Sequence, residues 1–229
     1  IPKAIVSGNA LLTLGNLEIG KLEKEYLSPE IIRNIQKLLT ISYLKMMEGQ
    51  FLDIKYERQE NISINEYLKM IELKTSTLLE CSLMLGVLTS RNNNHYLEHN
   101  FSSLGKILGA IFQIRDDVLG IWGTDETGKP IGADIIKKKK SLPIVHVLSQ
   151  ENSKISKKVK KMLSQKTISK SEMRLIIEML EKAGSEQYCQ NLINKYWSEG
   201  EKIIKKLNIP NSFKNDFQEL GTYLSGRAS

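Results

Sequence analysis

The sequence has little of the residue types that interrupt helices or form covalent cross-links. Only 5 of its 229 residues are proline and only 2 are cysteine. Because proline breaks helices, so small a number leaves room for long ones. Cys81 and Cys189 lie far apart in helical patterns, which favours two buried, reduced thiols over a disulfide or a pair of metal ligands. Reduced thiols are typical of the cytosol, so we expect a cytoplasmic protein.

Long apolar runs are missing too. No stretch approaches the roughly 18 residues that a membrane-spanning helix needs, so no transmembrane segment is predicted. The net charge of +7 suits an anionic small molecule, an anionic membrane surface or nucleic acid, and solubility alone explains it equally well. No helix-turn-helix, zinc-finger or aromatic RNA-binding pattern accompanies the charge, so nucleic acid is not an expected partner. The length is that of a single domain, which we expect to span residues 1–229.

Apolar residues at helical spacing dominate instead, with recognisable helix starts. Residues 28–30 read Ser-Pro-Glu and predict a helix that runs to about Tyr56. Residues 63–66 and 169–172 have the spacing of a capping box, and the first should start a second long helix to about Thr89. Further helices are expected over about 96–122, 143–148 and 186–207 and after Pro210. No strand alternation or repeat is found, so the prediction is an all-α bundle of long, mostly antiparallel helices around a central cavity.

The most informative stretch is 112–143, which reads FQIRDDVLGIWGTDETGKPIGADIIKKKKSLP. Adjacent aspartates in a helix usually form a solvated face, but Asp116 and Asp117 are flanked by apolar residues, so a paired or metal-bound state is needed to offset burial. A loop with Lys129 and four lysines at 137–140 follow. Carboxylates bind Mg²⁺, Mg²⁺ binds phosphate oxygens, and lysines neutralise the remaining phosphate charge. The pattern predicts a magnesium-dependent site for a diphosphate.

This stretch resembles the second aspartate-rich region of the trans-polyprenyl diphosphate synthases. The family pattern is FQ-I-x-DD-x-L, followed by G-K, G-x-D and K-[ST]-L-P. The positions that match it in order are Phe112, Gln113, Asp116, Asp117, Leu119, Gly128, Lys129, Gly132, Asp134, Lys139, Ser141, Leu142 and Pro143. One position departs, since the family's usual third aspartate falls at Gly120. Some members of the family also read DD-x-L-G-I-W-G, so we interpret Gly120 as a feature of a subgroup.

Two shorter motifs are similar to the same family. Residues 48–53 resemble its G-Q-x-x-D motif, with Gln50 and Asp53 three positions apart on a helix. Lys74 and Thr75 resemble its lysine–threonine pair, in which the lysine helps to hold the allylic diphosphate. From the residues alone, the first motif is equally a helix with one polar edge. Lys74 is equally a surface lysine whose stem covers apolar neighbours.

The resemblance implies an isoprenoid-synthase-type bundle and a prenyltransferase. The implied reaction condenses isopentenyl diphosphate with an allylic diphosphate, geranyl or farnesyl, to a longer trans-prenyl diphosphate, with geranylgeranyl diphosphate the product suggested by the subgroup. It implies Mg²⁺ as cofactor and a homodimer. The residues implied are the metal-binding Asp116 and Asp117, which are also catalytic, the catalytic and substrate-binding Lys74, Lys129 and Lys139, and the substrate-binding Gln50, Thr75 and Gln113.

Two alternatives stay open. A terpene cyclase of the same fold would ionise the same diphosphate and close the cation on itself, and a non-catalytic regulatory subunit would pair with an active synthase. The family's first aspartate-rich motif, and the residues that set product length, lie upstream of the segment that SGNALLTLG at 7–15 resembles. The sequence begins Ile-Pro-Lys, after that point, so we expect it to be part of a longer chain, which leaves the product length open.

Overall fold

The computed structural model describes residues 2–21, 27–90, 94–123, 130–150 and 153–226, and within these ranges the regular structure is entirely helical. The α-helices are α1 (Pro2–Lys21), α2 (Pro29–Glu57), α3 (Ile64–Ile71), α4 (Thr77–Thr89), α5 (His95–Trp122), α6 (Ala133–Ile136), α7 (Leu142–Leu148), α8 (Lys154–Leu163), α9 (Lys170–Lys182), α10 (Ser185–Lys206) and α11 (Asn211–Ser225). The prediction of an all-α bundle is confirmed.

The helix starts follow the local capping chemistry. The Ser28 side chain accepts a hydrogen bond from the Ile31 amide at the start of α2. Ser63 and Ser169 each form a complete capping box with the glutamate three positions later. Each box satisfies two backbone amides that a helix start leaves unpaired. These starts needed only residues close in sequence, which is why the sequence predicts them well.

The helix predicted from Ser63 to Thr89 is wrong in one respect, because a π-helical turn at Glu72–Ser76 separates α3 from α4. The Glu72 carbonyl accepts hydrogen bonds from both the amide and the hydroxyl of Thr77. Two glycines let neighbouring helices approach this turn. A Cβ on Gly49 of α2 would lie 2.6 Å from Lys74 Cα, and one on Gly109 of α5 would lie 2.9 Å from the Ser76 side chain. The turn is therefore enclosed by backbone on two sides.

The core is organised around α5. One buried cluster surrounds the middle of this helix and includes Ile111, Ile114 and Trp197. A second lies beneath α6 to α9 and includes Ile144 and Ile176. Burial of side chains of this size stabilises the fold by about 1.5–3 kcal/mol each. The polar residues of α5 are consequently fixed to a rigid support.

Two further features bear on the sequence predictions. Cys81 and Cys189 are buried free thiols, as predicted. Among the helices that the structure describes, none combines the length and apolar character needed to cross a membrane.

Candidate active site

Asp117 lies at the centre of the site, in the C-terminal half of α5. Only 1% of it is exposed, whereas the neighbouring Asp116 is half-buried. Asp117 Oδ1 accepts a hydrogen bond from Gln113 Nε2, one turn earlier, at 3.1 Å. Asp117 Oδ2 accepts one from the Leu142 backbone amide at 2.8 Å. Because α7 begins at Leu142, the carboxylate satisfies an amide that the helix itself leaves unpaired.

Tyr67 and Lys139 complete the surroundings of Asp117. The Tyr67 hydroxyl donates to Asp117 Oδ2 at 2.6 Å. Lys139 Nζ donates to Asp117 Oδ1 at 3.0 Å and lies 3.7 Å from Asp134 Oδ2. Burial disfavours the charged form of Lys139, but the two carboxylates outweigh it and raise the pKa of the ammonium. Burial, reinforced by Asp117, also raises the pKa of Tyr67 well above its usual value. At neutral pH the lysine is therefore a cation and the tyrosine a neutral donor.

A tight turn after α6 directs Lys139, one of the four consecutive lysines, toward Asp117. Lys138 has a φ of 55°, which is uncommon for a residue with a side chain. The Lys139 amide donates to the Asp134 carbonyl at 2.9 Å and closes the turn. Lys137 stays exposed, while Lys139 points toward Asp117. Lysines adjacent in sequence therefore have different surroundings.

The π-helical turn contributes a second cation. Lys74 Nζ lies 2.5 Å from Asp53 Oδ2, and most of both side chains is shielded from solvent. The next residue, Thr75, donates its hydroxyl hydrogen to Gln113 Oε1 at 2.7 Å. The amide of Gln113 thus accepts from the π-helical turn and donates to Asp117.

These contacts form one continuous network across three elements. It runs from Thr75 through Gln113 and Asp117 to Lys139, and Lys74 adjoins its first member. Each link joins a donor to an acceptor within ordinary hydrogen-bond distance. The network therefore holds the Asp117 carboxylate and the Lys139 ammonium, while the Lys74 ammonium is held beside it by Asp53.

The structure places the predicted site residues unequally. Those in or beside the network are Lys74, Thr75, Gln113, Asp116, Asp117 and Lys139. Gln50 is exposed on α2, one turn before the buried Asp53. Lys129 lies outside the described residues.

Two participants were not predicted as site residues. Tyr67 is 50 positions from Asp117 in sequence, so no local spacing links the two. Asp134 matched a family position without a role being assigned to it. The sequence did contain a hint of Asp134, namely the glycine at position 120 where the family usually has its third aspartate. In the structure, a Cβ on Gly120 would lie 2.5 Å from Asp134 Cγ. The missing side chain at 120 is what makes room for this carboxylate.

The acidic residues fit a magnesium ion that is shared with a phosphate ligand. Within the described part of the chain, no group of three or more potential ligand side chains forms a closed metal cage. Mg²⁺ does not need one, since it is commonly bound by one or two carboxylates together with substrate phosphates. The half-buried Asp116 would hold it; Asp117, the second predicted ligand, already accepts four protein hydrogen bonds and would bind the ion in exchange for one of them.

Comparison with known proteins identifies relatives over most of the chain. The family described as polyprenyl synthetase matches residues 1–180. Geranylgeranyl diphosphate synthase from Sulfolobus acidocaldarius is 31% identical over 92% of this chain and 64% of its own length. (2E,6E)-farnesyl diphosphate synthase from Mycobacterium bovis is 25% identical over 98% of this chain and 62% of its own length.

A solved structure shares the fold. The crystal structure of geranylgeranyl pyrophosphate synthetase from Pyrococcus horikoshii superimposes with a TM-score of 0.88 at 26% identity, covering 100% of this chain and 68% of that one. The chain thus spans a little over three fifths of the length of the two curated relatives described above. The family match, which covers well over half of the residues, shows that this chain belongs to the polyprenyl synthetase family.

Proposed function

We propose that the protein condenses isopentenyl diphosphate with an allylic diphosphate to give a longer trans-prenyl diphosphate. The observation that carries the proposal is the network that joins Lys74–Thr75, Gln113, Asp117 and Lys139. The network fixes the Lys139 ammonium and the Asp117 carboxylate, and Lys74 and Asp116 are the chain neighbours of its members Thr75 and Asp117. Ammonium groups and carboxylates close together are what a metal-assisted diphosphate site requires. Membership of the polyprenyl synthetase family supports the same reaction class.

The cations act on the departing diphosphate. As the allylic carbon–oxygen bond breaks, negative charge grows on the diphosphate, and the ammonium groups of Lys74, Lys129 and Lys139 stabilise it. Asp53 and Asp117 hold Lys74 and Lys139 in position before the reaction begins. When bound at Asp116, and at Asp117 in exchange for one of its protein hydrogen bonds, Mg²⁺ supplies Lewis-acid stabilisation of the same charge.

The carbon–carbon bond forms as the alkene of isopentenyl diphosphate attacks the resulting allylic cation. A proton then leaves the new product, and the released diphosphate accepts it. Water must be kept away from the cation, because water would react with the cation and give an alcohol. Phe112 lies one turn before Asp116, on the same face of α5, and is 47% exposed. Its ring offers apolar surface beside the acidic group for the prenyl chain.

Substrate contacts, product, assembly and location are further parts of the proposal. Gln50, Thr75 and Gln113 bind substrate, and the exposed Gln50 is available to a ligand without rearrangement of the core. Likeness to a geranylgeranyl diphosphate synthase favours geranylgeranyl diphosphate as the product. We also expect the protein to be cytoplasmic and to form a homodimer. Analytical ultracentrifugation of the full-length protein tests the dimer.

The direct test is a product assay with the full-length protein. Labelled isopentenyl diphosphate, farnesyl diphosphate and Mg²⁺ are incubated with the wild type, with Asp116→Asn and with Lys139→Met. Asp216→Asn and Lys158→Met, which change exposed residues on α11 and α8, are matched controls. The expected result is a longer prenyl diphosphate that both site variants reduce by at least about a hundredfold and both controls retain.

The other outcomes distinguish the alternatives. A hydrocarbon or cyclic alcohol formed from farnesyl diphosphate alone would identify a cyclase. No turnover by a chain that binds an active synthase would identify a regulatory subunit. Either result would overturn the proposed reaction.

A further inference from the structure

The carboxylate of Asp117 is saturated by protein donors. Its Oδ2 accepts from the Tyr67 hydroxyl and the Leu142 amide, and its Oδ1 accepts from Gln113 Nε2 and Lys139 Nζ. A carboxylate offers about four lone-pair directions, so these four bonds use its accepting capacity. Asp117 therefore fixes the positions of its neighbours, and each donor in turn fixes Asp117.

Tyr67 is a neighbour of Asp117 that the sequence did not predict as a site residue. The ring is 1% exposed and packs in the main core cluster. Its hydroxyl makes a 2.6 Å bond to Asp117 from helix α3, an element that otherwise supplies none of the site residues. Such a bond between a buried hydroxyl and a carboxylate holds the charged oxygen in one orientation.

Lys139 is held from a second side by Asp134, whose Oδ2 lies 3.7 Å from Lys139 Nζ. The Asp134 carboxylate is buried against the backbone of α5 at Gly120, where a Cβ would lie 2.5 Å from Asp134 Cγ. Any side chain at position 120 would therefore push this carboxylate away. Gly120 matters here for the space that it leaves.

We propose that Tyr67 and Gly120 are positioning residues for Lys139. Tyr67 acts through Asp117 and Gly120 acts through Asp134, so that two carboxylates reach the same ammonium from different helices. Neither residue needs to touch a ligand. The inference rests on the proposed function, in which Lys139 binds a diphosphate. An ammonium fixed in advance needs no reorganisation when the ligand arrives, which is the condition for strong electrostatic stabilisation.

The first experiment measures the affinity for inorganic pyrophosphate by isothermal titration calorimetry in metal-free buffer. The variants are Tyr67→Phe and Gly120→Ala in the full-length protein. The controls are Tyr56→Phe, another buried tyrosine, and Gly86→Ala, an exposed helical glycine with open space around its Cβ. Circular dichroism establishes that every sample is folded at the temperature used.

The expected result is a weakening of about tenfold or more for both site variants, and less than about twofold for the controls. The tenfold figure corresponds to loss of one hydrogen bond to a charged group. Wild-type affinity in both Tyr67→Phe and Gly120→Ala would overturn the proposal. Equal weakening in the controls would overturn it too, because the effect would then be general destabilisation.

A second experiment needs no ligand and separates this inference from the proposed function. Urea unfolding is measured for Gly120→Ala, Asp134→Ala and the double variant. If the Cβ at 120 acts by displacing Asp134, Gly120→Ala lowers the folding equilibrium constant at least about tenfold alone and little in the Asp134→Ala background. Additive effects would overturn the role of Gly120. If the wild type binds no pyrophosphate, the proposed diphosphate site fails, and non-additivity still establishes the packing of Gly120 on Asp134.

Tyr67 is tested in the same way through Asp117. The cycle pairs Tyr67→Phe with Lys139→Met, whose side chains do not share a hydrogen bond but both donate to Asp117. The expected result is a coupling of at least about threefold in the folding equilibrium constant, the lower range for residues in one network. Independent effects would overturn the route from Tyr67 to Lys139.

Discussion

Lys74 Nζ lies 2.5 Å from Asp53 Oδ2, so a lysine in a π-helical turn is held by an aspartate of another helix. The two side chains are 25% and 10% exposed. Asp53 in turn lies one helical turn after Gly49, where the α2 backbone passes close to Lys74. Helix α2 therefore fixes both the backbone and the ammonium of Lys74.

Asp53→Asn is expected to lower the free energy of unfolding by about 1–2 kcal/mol. The substitution keeps the size of the side chain but leaves the Lys74 ammonium without its counter-ion in a partly buried setting. The expected cost is modest because a quarter of the Lys74 side chain stays in water, where solvent screens the pair. Urea unfolding at neutral pH measures it.

The matched control for Asp53→Asn is Lys69→Met. It removes an ion pair with Glu72 at 3.1 Å in which both side chains are about half exposed. Such surface pairs contribute less than about 1 kcal/mol, so the control should be close to wild type. Equal losses in the two variants would show that burial of the Lys74 pair adds nothing to stability.

Gly49→Ala should destabilise the protein by about 1–3 kcal/mol, the usual cost of overpacking. The added Cβ would lie 2.6 Å from Lys74 Cα, and a backbone atom cannot move aside as a flexible side chain can. Gly86→Ala, three residues before the end of α4 with open space around it, should instead raise stability by about 0.5–1 kcal/mol, because alanine loses less backbone entropy. Thermal unfolding of the two variants measures both changes in stability. A stabilising effect of Gly49→Ala would contradict the close approach of the α2 backbone to Lys74.

The sequence predicts those parts of the fold that depend on neighbouring residues. Ser63 and Ser169 were recognisable as helix starts because a capping box lies within four positions. The π-helical turn could not be found in this way, since its position depends on contact with Gly49 and Gly109 of other helices. Apolar periodicity alone predicts a continuous α-helix there.

The candidate site also has a part that local sequence predicts and a part that it does not. The motif around Asp116 and Asp117 identified the acidic centre, but the partners of Asp117 come from distant parts of the chain. Tyr67 is separated from it by 50 positions and Leu142 by 25. Such pairings are set by the packing of α3 and α7 on α5, which one sequence does not specify. The roles of the predicted ligand-binding residues stay predictions, which the product and pyrophosphate experiments test.

His146, one helical turn after Leu142 on α7, provides a test of pH dependence. Its Nδ1 lies 3.0 Å from Ser185 Oγ, and its ring stacks on Tyr188 with centroids 4.2 Å apart. Gln150 is its remaining side-chain hydrogen-bonding contact among the described residues. None of these three partners carries a charge near neutral pH, so burial alone acts on the imidazole and lowers its pKa.

The sign of the effect follows from proton binding. Between the lowered pKa of the folded state and about 6.5 in the unfolded chain, the unfolded state binds more protons, so stability rises with pH. The contribution of neutral His146 to stability is complete above about pH 6.5 and is lost as the pH falls below that value.

In His146→Phe, which keeps an aromatic ring against Tyr188, this loss of stability should be absent. Urea unfolding of both proteins between about pH 7.5 and 5 should therefore show the wild type losing more stability than the variant as acid is added. Parallel profiles would mean that the fold does not discriminate between the two protonation states of His146.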